Sequence, residues 1–215
     1  MRCHVITMVL VLSMMNQELK AQEIIGTWLQ EQIPNSISYP SINIVEINQS
    51  SLIAHDFDKE YSRAEIEIRD RKMILNDSLS INYRVLDHNI FEIYDDRVNE
   101  DDSPTSKFFR LEDTICPESG CPDLKKSSFE IVIGNQIMVF TLGENTTEEE
   151  VIIIDKPPIA ADRVVVEKVK QTYFLCFYAM GYRTYAFPIK KIEDTSFTIF
   201  GIPENEGEFV ARMVD

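Results

Sequence analysis

The stretch Ala64-Glu65-Ile66-Glu67-Ile68-Arg69 alternates strictly between apolar and charged residues. Successive side chains of a β-strand point to opposite faces, so this pattern predicts a strand with one buried and one solvated face. Leu79-Ser80-Ile81-Asn82-Tyr83-Arg84-Val85 alternates in the same way. Turn-forming residues at 70–72 and 76–77 lie between the two stretches. The sequence therefore predicts short antiparallel strands joined by turns.

Similar stretches continue along the chain. Further strands are predicted at residues 42–47, 52–57, 90–94, 107–111, 129–133, 137–142, 151–154, 164–169, 173–178, 182–187, 197–202 and 208–213. Residues 173–180 are apolar at both alternating positions, which predicts a central strand covered on both faces. One short helical turn is expected at residues 146–150, where a threonine cap precedes acidic residues.

The predicted fold class is all-β, an antiparallel meander that forms two small barrels or sheets in tandem, with one larger barrel or sandwich as the alternative. The predicted boundaries are a signal peptide at 1–21, an N-terminal β unit at 22–115, a loop at 116–124 and a C-terminal β unit at 125–215. Phe91-Glu92-Ile93-Tyr94 is followed by an acidic loop and Phe108-Phe109-Arg110, and Phe197-Thr198-Ile199-Phe200 by an acidic loop and Phe209-Val210-Ala211-Arg212. This similarity suggests a duplication. Two unrelated hairpins would match equally well.

The N-terminus has the layout of a signal peptide. Arg2 precedes an apolar run at residues 5–15, and small Ala21 follows a polar stretch. The apolar run is shorter than the ~20 residues that a membrane-spanning helix needs. The segment resembles bacterial signal peptides that finish in an Ala-Gln pair. We therefore expect cleavage after Ala21 and a periplasmic or secreted protein without a stable membrane anchor.

The chain is acidic, with a net charge of −15. Cleavage after Ala21 would remove Arg2, Lys20 and Glu18 and leave 19 of the 21 basic and 35 of the 36 acidic residues, a net charge of about −16. Such a charge repels nucleic acid and anionic lipid and favours basic partners. Nucleic-acid binding is therefore not expected, and solubility after export is the simplest role of the charge.

Three cysteines would remain in the mature chain. Cys116 and Cys121 enclose a short turn-rich loop and are predicted to form a disulfide in an oxidising compartment. A zinc site would need two further ligands nearby, and the sequence offers none. Cys176 lies in an apolar stretch and is expected to be a buried free thiol.

The sequence contains no recognisable catalytic or metal-binding motif. A glycine-rich phosphate loop, a Gly-x-Ser-x-Gly elbow and a His-Glu-x-x-His helix are all missing. Only His55 and His88 remain after cleavage, and His88 is expected in a solvated hairpin turn. The acidic residues 95–102 lack the spacing of a calcium loop, so a solvated loop is the simpler interpretation. No catalytic residue, metal ligand or cofactor is predicted.

Ile24-Ile25-Gly26-Thr27-Trp28-Leu29 contains a Gly-x-Trp triplet. Here the chain resembles the lipocalin-like families, whose first barrel strand begins with this triplet. The resemblance implies that Trp28 closes the base of a barrel and that an arginine from a late strand, here Arg110, packs across it. Gly26, Trp28 and Arg110 are thus predicted to be structural residues.

The functional prediction is an exported, non-catalytic binding protein that holds a small apolar ligand in a lipocalin-like barrel. The alternative is a protein-interaction module of the immunity or inhibitor type, which uses its acidic surface against a basic protein partner. A hydrolase with carboxylate chemistry is the third reading. The ligand-binding residues are unknown from sequence.

Overall fold

The structure is a computed structural model and consists of β-strands, turns and loops in the part that it describes. It describes residues 23–32, 42–75, 79–94, 106–134, 136–143, 151–152, 159–202 and 207–214. The predicted signal peptide, the acidic residues 95–102 and the predicted helical turn at 146–150 lie outside these ranges.

The first eight strands close into an antiparallel barrel in which consecutive strands are neighbours. They are β1 (Gly26–Gln30), β2 (Asn43–Ile47), β3 (Ser51–Asp56), β4 (Lys59–Arg69), β5 (Lys72–Leu75), β6 (Leu79–Asp87), β7 (Ile90–Tyr94) and β8 (Ser106–Leu111).

The remaining nine strands belong to the second half of the chain. They are β9 (Ser128–Ile133), β10 (Gln136–Thr141), β11 (Val151–Ile152), β12 (Ile159–Ala160), β13 (Arg163–Val169), β14 (Thr172–Ala179), β15 (Tyr182–Ile192), β16 (Ser196–Ile199) and β17 (Phe209–Val214). Seven of them form a curled sheet in the order β10-β9-β17-β16-β15-β14-β13, while β11 pairs with β12. Just after β10, Leu142 bridges to Val164 on β13, and the Gly143 amide donates to the Val164 carbonyl at 2.8 Å.

The chain divides into two compact units. The first takes the described residues up to Gln30 and from Asn43 to Arg110, and the second takes Glu31, Gln32, Ile42 and the described residues from Leu111 onward. The predicted all-β class with two barrel-like units is therefore confirmed, whereas a single larger barrel is not formed.

Tight hairpin turns explain how the strands follow one another so closely. Asp70 and Arg71, between β4 and β5, have φ values of 51° and 60°, and Met180 and Gly181, between β14 and β15, have 52° and 81°. Two successive positive φ angles are typical of the type I′ turn, whose twist matches that of the flanking strands. Both hairpins are thus set in register by two-residue turns.

The strands differ from prediction at several places: β12 was not predicted, β16 ends at Ile199 and not at residue 202, and three further differences have a physical reason. Strand β5 was not predicted because it has only four residues and lies between two turn signals. Strand β4 begins at Lys59, several residues before its alternating part. Strand β15 continues past Pro188 to Ile192, because Pro188 lies next to a register shift where the ladder with β16 is interrupted.

Each unit has its own apolar core. The barrel core contains Ile24, Trp28, Ile47, Ile66, Met73, Tyr83, Phe91 and Phe108. In the second unit, the largest buried core residues are Phe129, Phe140, Phe177, Phe187 and Phe197. Strand β14 is buried at both alternating positions and has a strand on each side, as its composition predicts.

Within the described residues, no helix is long and apolar enough to cross a membrane.

Candidate functional site

The lower end of the first barrel, where β1 begins, is filled by aromatic side chains. Trp28 is fully buried, and its indole N–H donates to the Ile24 carbonyl at 2.8 Å. Its ring meets Phe91 edge-on with centroids 4.6 Å apart, and Phe91 stacks on Phe108 at 4.7 Å. Edge-to-face and offset stacked pairs are the arrangements that aromatic rings favour. This end of the interior is therefore occupied by the protein itself.

Arg110 lies over the Trp28 ring of this aromatic cluster. Its guanidinium carbon is 4.1 Å from the centre of the Trp28 ring. The guanidinium donates to three carbonyls: from Nε to His88 at 2.8 Å, from Nη1 to Ile25 at 2.9 Å and from Nη2 to Glu23 at 2.6 Å. Through these hydrogen bonds, Arg110 connects β8 to the segment before β1 and to the β6–β7 turn, at one end of the barrel.

Gly26 has no side chain, and the Arg110 guanidinium lies where a side chain would be. Its φ is 145°, and a Cβ placed on it would lie 2.7 Å from Nη1 of Arg110. That nitrogen is held by its bond to Ile25, so it has little room to move. The three residues singled out by the sequence, Gly26, Trp28 and Arg110, therefore meet at one point of the structure.

The other end of the barrel interior has a polar lining. Gln30 follows Trp28 by two residues and Ser106 precedes Phe108 by two, so the alternation of β-strands turns both toward the interior. Asn43 Nδ2 donates to Gln30 Oε1 at 2.8 Å, and Gln30 Nε2 lies 3.4 Å from the Ser106 hydroxyl oxygen. All three side chains are half-buried. We call Gln30, Asn43 and Ser106 the polar end of the barrel.

The polar end retains hydrogen-bonding capacity. Asn43 has a carbonyl oxygen, and Ser106 a hydroxyl hydrogen, for which no partner is found within the described residues. All three side chains are neutral. Placing an apolar group next to them therefore costs less desolvation free energy than placing it next to a carboxylate. The arrangement can bind a small uncharged polar group. Sequence reasoning missed it, although the two-residue spacing from Trp28 to Gln30 was visible.

A second cluster of polar side chains lies on β13, β14 and β15. Glu167 accepts a hydrogen bond from the Tyr178 hydroxyl and two from Arg183, from Nη2 at 2.6 Å and Nε at 3.1 Å. Arg163 lies 4.5 Å from the centre of the Tyr178 ring. Both carboxylate oxygens are used, so the cluster serves to join three strands.

Burial in this region acts on two titratable groups. It is the main cause that raises the pKa of Tyr178 to about 12, with the hydrogen bond to Glu167 adding to it. Burial also raises the pKa of the Cys176 thiol well above its ordinary value, and the charge of Glu167 adds to that. A thiol with a raised pKa has little thiolate at neutral pH and is a poor nucleophile.

The remaining predicted residues lie apart from these clusters. Cys116 and Cys121 are at disulfide distance, with their Cα atoms 5.0 Å apart, and Cys176 is a buried free cysteine. His88 is exposed in the β6–β7 turn. His55 Nε2 lies 2.6 Å from Glu46 Oε1, an ion-pair distance, although the angles are not those of a hydrogen bond. Within the described part of the chain, no three acidic, histidine or cysteine side chains form a cluster that could hold a metal ion.

Comparisons with protein families, with curated proteins and with solved structures found no match to this chain.

Proposed function

We propose that the protein is an exported, non-catalytic binding protein whose first barrel takes a small, mainly apolar ligand at its polar end. The observation that carries this proposal is the contrast between the two ends of the interior. One end is packed with Trp28, Phe91 and Phe108 under Arg110, and the other carries the half-buried amides of Gln30 and Asn43.

The likeness to lipocalin-like barrels supports the same function. An eight-stranded barrel is just wide enough either to be filled by side chains or to hold one small ligand. Because aromatic rings fill the lower end, the proposed ligand lies in the upper part, where Ile93 pairs with Ser106 and Ile81 packs against the barrel core. A small ligand with one neutral hydrogen-bonding group suits this space better than a long chain.

Titration of the purified chain with fluorescent fatty-acid analogues of increasing chain length tests the proposal. We expect saturable binding of one equivalent, strongest for the shortest analogues with a neutral head group. Gln30→Leu should weaken binding about tenfold, because it removes the hydrogen bonds of the amide.

Gln171→Leu is the matched control, since Gln171 is exposed and belongs to the second unit. It should bind as the unchanged chain does. Saturable binding by none of the analogues would contradict the proposal and would favour the acidic protein-interaction module instead.

A further inference from the structure

The outer face of β9, β10 and β17 carries an unusual number of exposed apolar side chains. Val132, Ile137, Val139 and Val210 are 49%, 65%, 50% and 37% exposed. On the inner face of these strands the apolar residues are buried or, at Phe209 and Met213, partly buried, as expected for a sheet with one core face. Together the four exposed side chains form a patch on the order of 300 Å², the size at which exposed patches often mark interaction sites.

The strand register places these residues side by side. Ile137 pairs with Val132, and Val139 pairs with Glu130. Glu130 pairs in turn with Arg212, two residues after Val210. The patch is therefore a continuous face across three strands, with one acid and one base at its centre. We call these six residues, Val132, Ile137, Val139, Val210, Glu130 and Arg212, the β9–β17 face.

The two charges of the β9–β17 face are not used within the described part of the chain. Glu130 and Arg212 are cross-strand neighbours, yet no salt bridge joins them or involves either of them there. The face is thus electrically neutral, in a chain whose net charge is −15. Both charges are free to pair with a partner.

We infer that the β9–β17 face binds a second copy of this chain. A two-fold axis parallel to the strands and midway between β9 and β17 sets Glu130 against Arg212 of the second copy, and Arg212 against its Glu130. The same axis sets Val132 against Val210 of the second copy. Two-fold contacts of this kind use one self-complementary patch twice, and aligned packing of two sheets is a common arrangement.

Charge favours a second copy over a foreign basic protein. A basic partner would gain from Glu130 but would be repelled by Arg212, which lies beside it. A second copy is repelled by the acidic remainder of the chain, but at this face each of its two charges meets an opposite charge. The inference concerns the second unit and is independent of ligand binding in the first barrel.

Sedimentation equilibrium of the purified chain up to about 100 µM tests the inference, because a weak dimer becomes populated only when the concentration reaches its dissociation constant. We expect a monomer–dimer equilibrium. Glu130→Arg and Arg212→Glu should each raise the dissociation constant at least about tenfold, since each brings like charges together. The double exchange E130R/R212E should return it to within about threefold of the original, because the pairing is restored with the signs reversed.

Two control variants change the net charge equally but lie elsewhere. Glu118→Arg matches the first single variant and Lys125→Glu the second, and both positions are exposed. Neither should alter the dissociation constant by more than about threefold beyond the shared effect of net charge. Ile137→Lys, at the most exposed apolar position, should abolish the dimer. A monomer at every concentration would overturn the inference. So would a dimer whose dissociation constant is unchanged by the Glu130, Arg212 and Ile137 variants, or one that the double exchange does not restore.

Discussion

At the residue scale, Arg110 is the most heavily engaged side chain of the first barrel. Its guanidinium stacks on Trp28 and donates to three carbonyls that belong to two separate segments. A planar fork with several fixed donors can make these contacts together, whereas an ammonium group cannot. Net contributions of about 1 kcal/mol for each hydrogen bond and ~0.5–2 kcal/mol for the stacking set the scale of its effect.

We predict that Arg110→Lys lowers the free energy of unfolding by about 2–4 kcal/mol, because the lysine can replace at most one of the three hydrogen bonds. Urea denaturation followed by tryptophan fluorescence measures the change, since Trp28 is the single tryptophan of the chain. Arg69→Lys is the control, because Arg69 forms an exposed ion pair with Glu67 and should change stability by less than about 0.5 kcal/mol. Equal effects of the two variants would show that the Trp28 contact is unimportant.

Tyr178 gives a pH-dependent prediction. Its pKa in the folded chain is about 12, raised mainly by burial from the ordinary tyrosine value of 10.0. Between pH 10 and 12 the unfolded chain loses this proton while the folded chain keeps it. The contribution of Tyr178 to the free energy of unfolding is therefore fully present below pH 10 and is lost as the pH rises toward 12.

The measurement is the difference in tyrosinate absorbance between the unchanged chain and Tyr178→Phe. The difference should titrate near pH 12, and stability in this range should fall more steeply for the unchanged chain than for the variant. Tyr182→Phe, which removes an exposed ring, serves as the control. A difference spectrum that titrates near pH 10 would contradict the buried environment of the hydroxyl.

At the element scale, two side chains from outside the sheet complete the hydrogen bonding of β14 and β15. The Gln32 amide donates to the Ala186 carbonyl at 2.7 Å and accepts from the Ala186 N–H at 2.9 Å, as a neighbouring strand would. The Thr114 hydroxyl accepts from the Tyr173 N–H at 2.7 Å and donates to the Ile189 carbonyl at 2.6 Å. Buried backbone groups that lack strand partners are satisfied in this way.

We predict that Gln32→Leu lowers the free energy of unfolding by about 2–4 kcal/mol, because it leaves two buried backbone groups of Ala186 without partners. Gln171→Leu makes the same chemical change at an exposed position and should cost less than about 0.5 kcal/mol. Hydrogen exchange of the Ala186 amide provides a second measurement. Unchanged protection in Gln32→Leu would mean that another group protects this amide.

The Cys116 to Cys121 loop is a second local element with a direct test. We predict that alkylation under non-reducing, denaturing conditions labels one cysteine of the mature chain, Cys176, since the other two are at bonding distance. After reduction, three cysteines should be labelled. Three labels before reduction would show that no disulfide forms.

Strand positions were largely predictable from sequence because alternation determines which face is buried, as in residues 64–69 and 79–85. Gln32 and Thr114 were not, because their partners are 154 and 75 residues away and nothing local distinguishes them from loop residues. The polar end escaped prediction for a similar reason. Gln30, Asn43 and Ser106 meet only when the barrel closes, and a lone polar residue on a strand normally indicates the solvated face.

At the scale of the whole molecule, the two units are built differently. In the first unit, every strand pairs with two neighbours and the barrel is closed. In the second unit, the two edges of the seven-stranded sheet meet only at the isolated bridge between Leu142 and Val164, within the described residues. The Gly-x-Trp triplet and Arg110 could be singled out from sequence in the first unit, because a resemblance supplied their roles. The curled sheet of the second unit has no such short signature.

The processing of the chain is a prediction at this scale. We expect the intact mass of protein exported by its host to correspond to a chain that begins at Gln22, with or without cyclisation of that glutamine. An Ala21→Lys variant, which puts a large charged residue at the cleavage position, should accumulate with residues 1–21 attached. A mature chain that still starts at Met1 would remove the basis for export and for the oxidised cysteine pair.

The bonds of Arg110 to Ile25 and Glu23 span 85 and 87 residues. During synthesis, β1 emerges from the ribosome long before β8, and it can pair with β2 on one edge only. Its other edge stays open until more than eighty further residues have been made, and closing so long a segment is slow. The nascent chain therefore presents a strand with one unpaired edge near its N-terminus throughout this interval, which is when targeting factors and chaperones would encounter it.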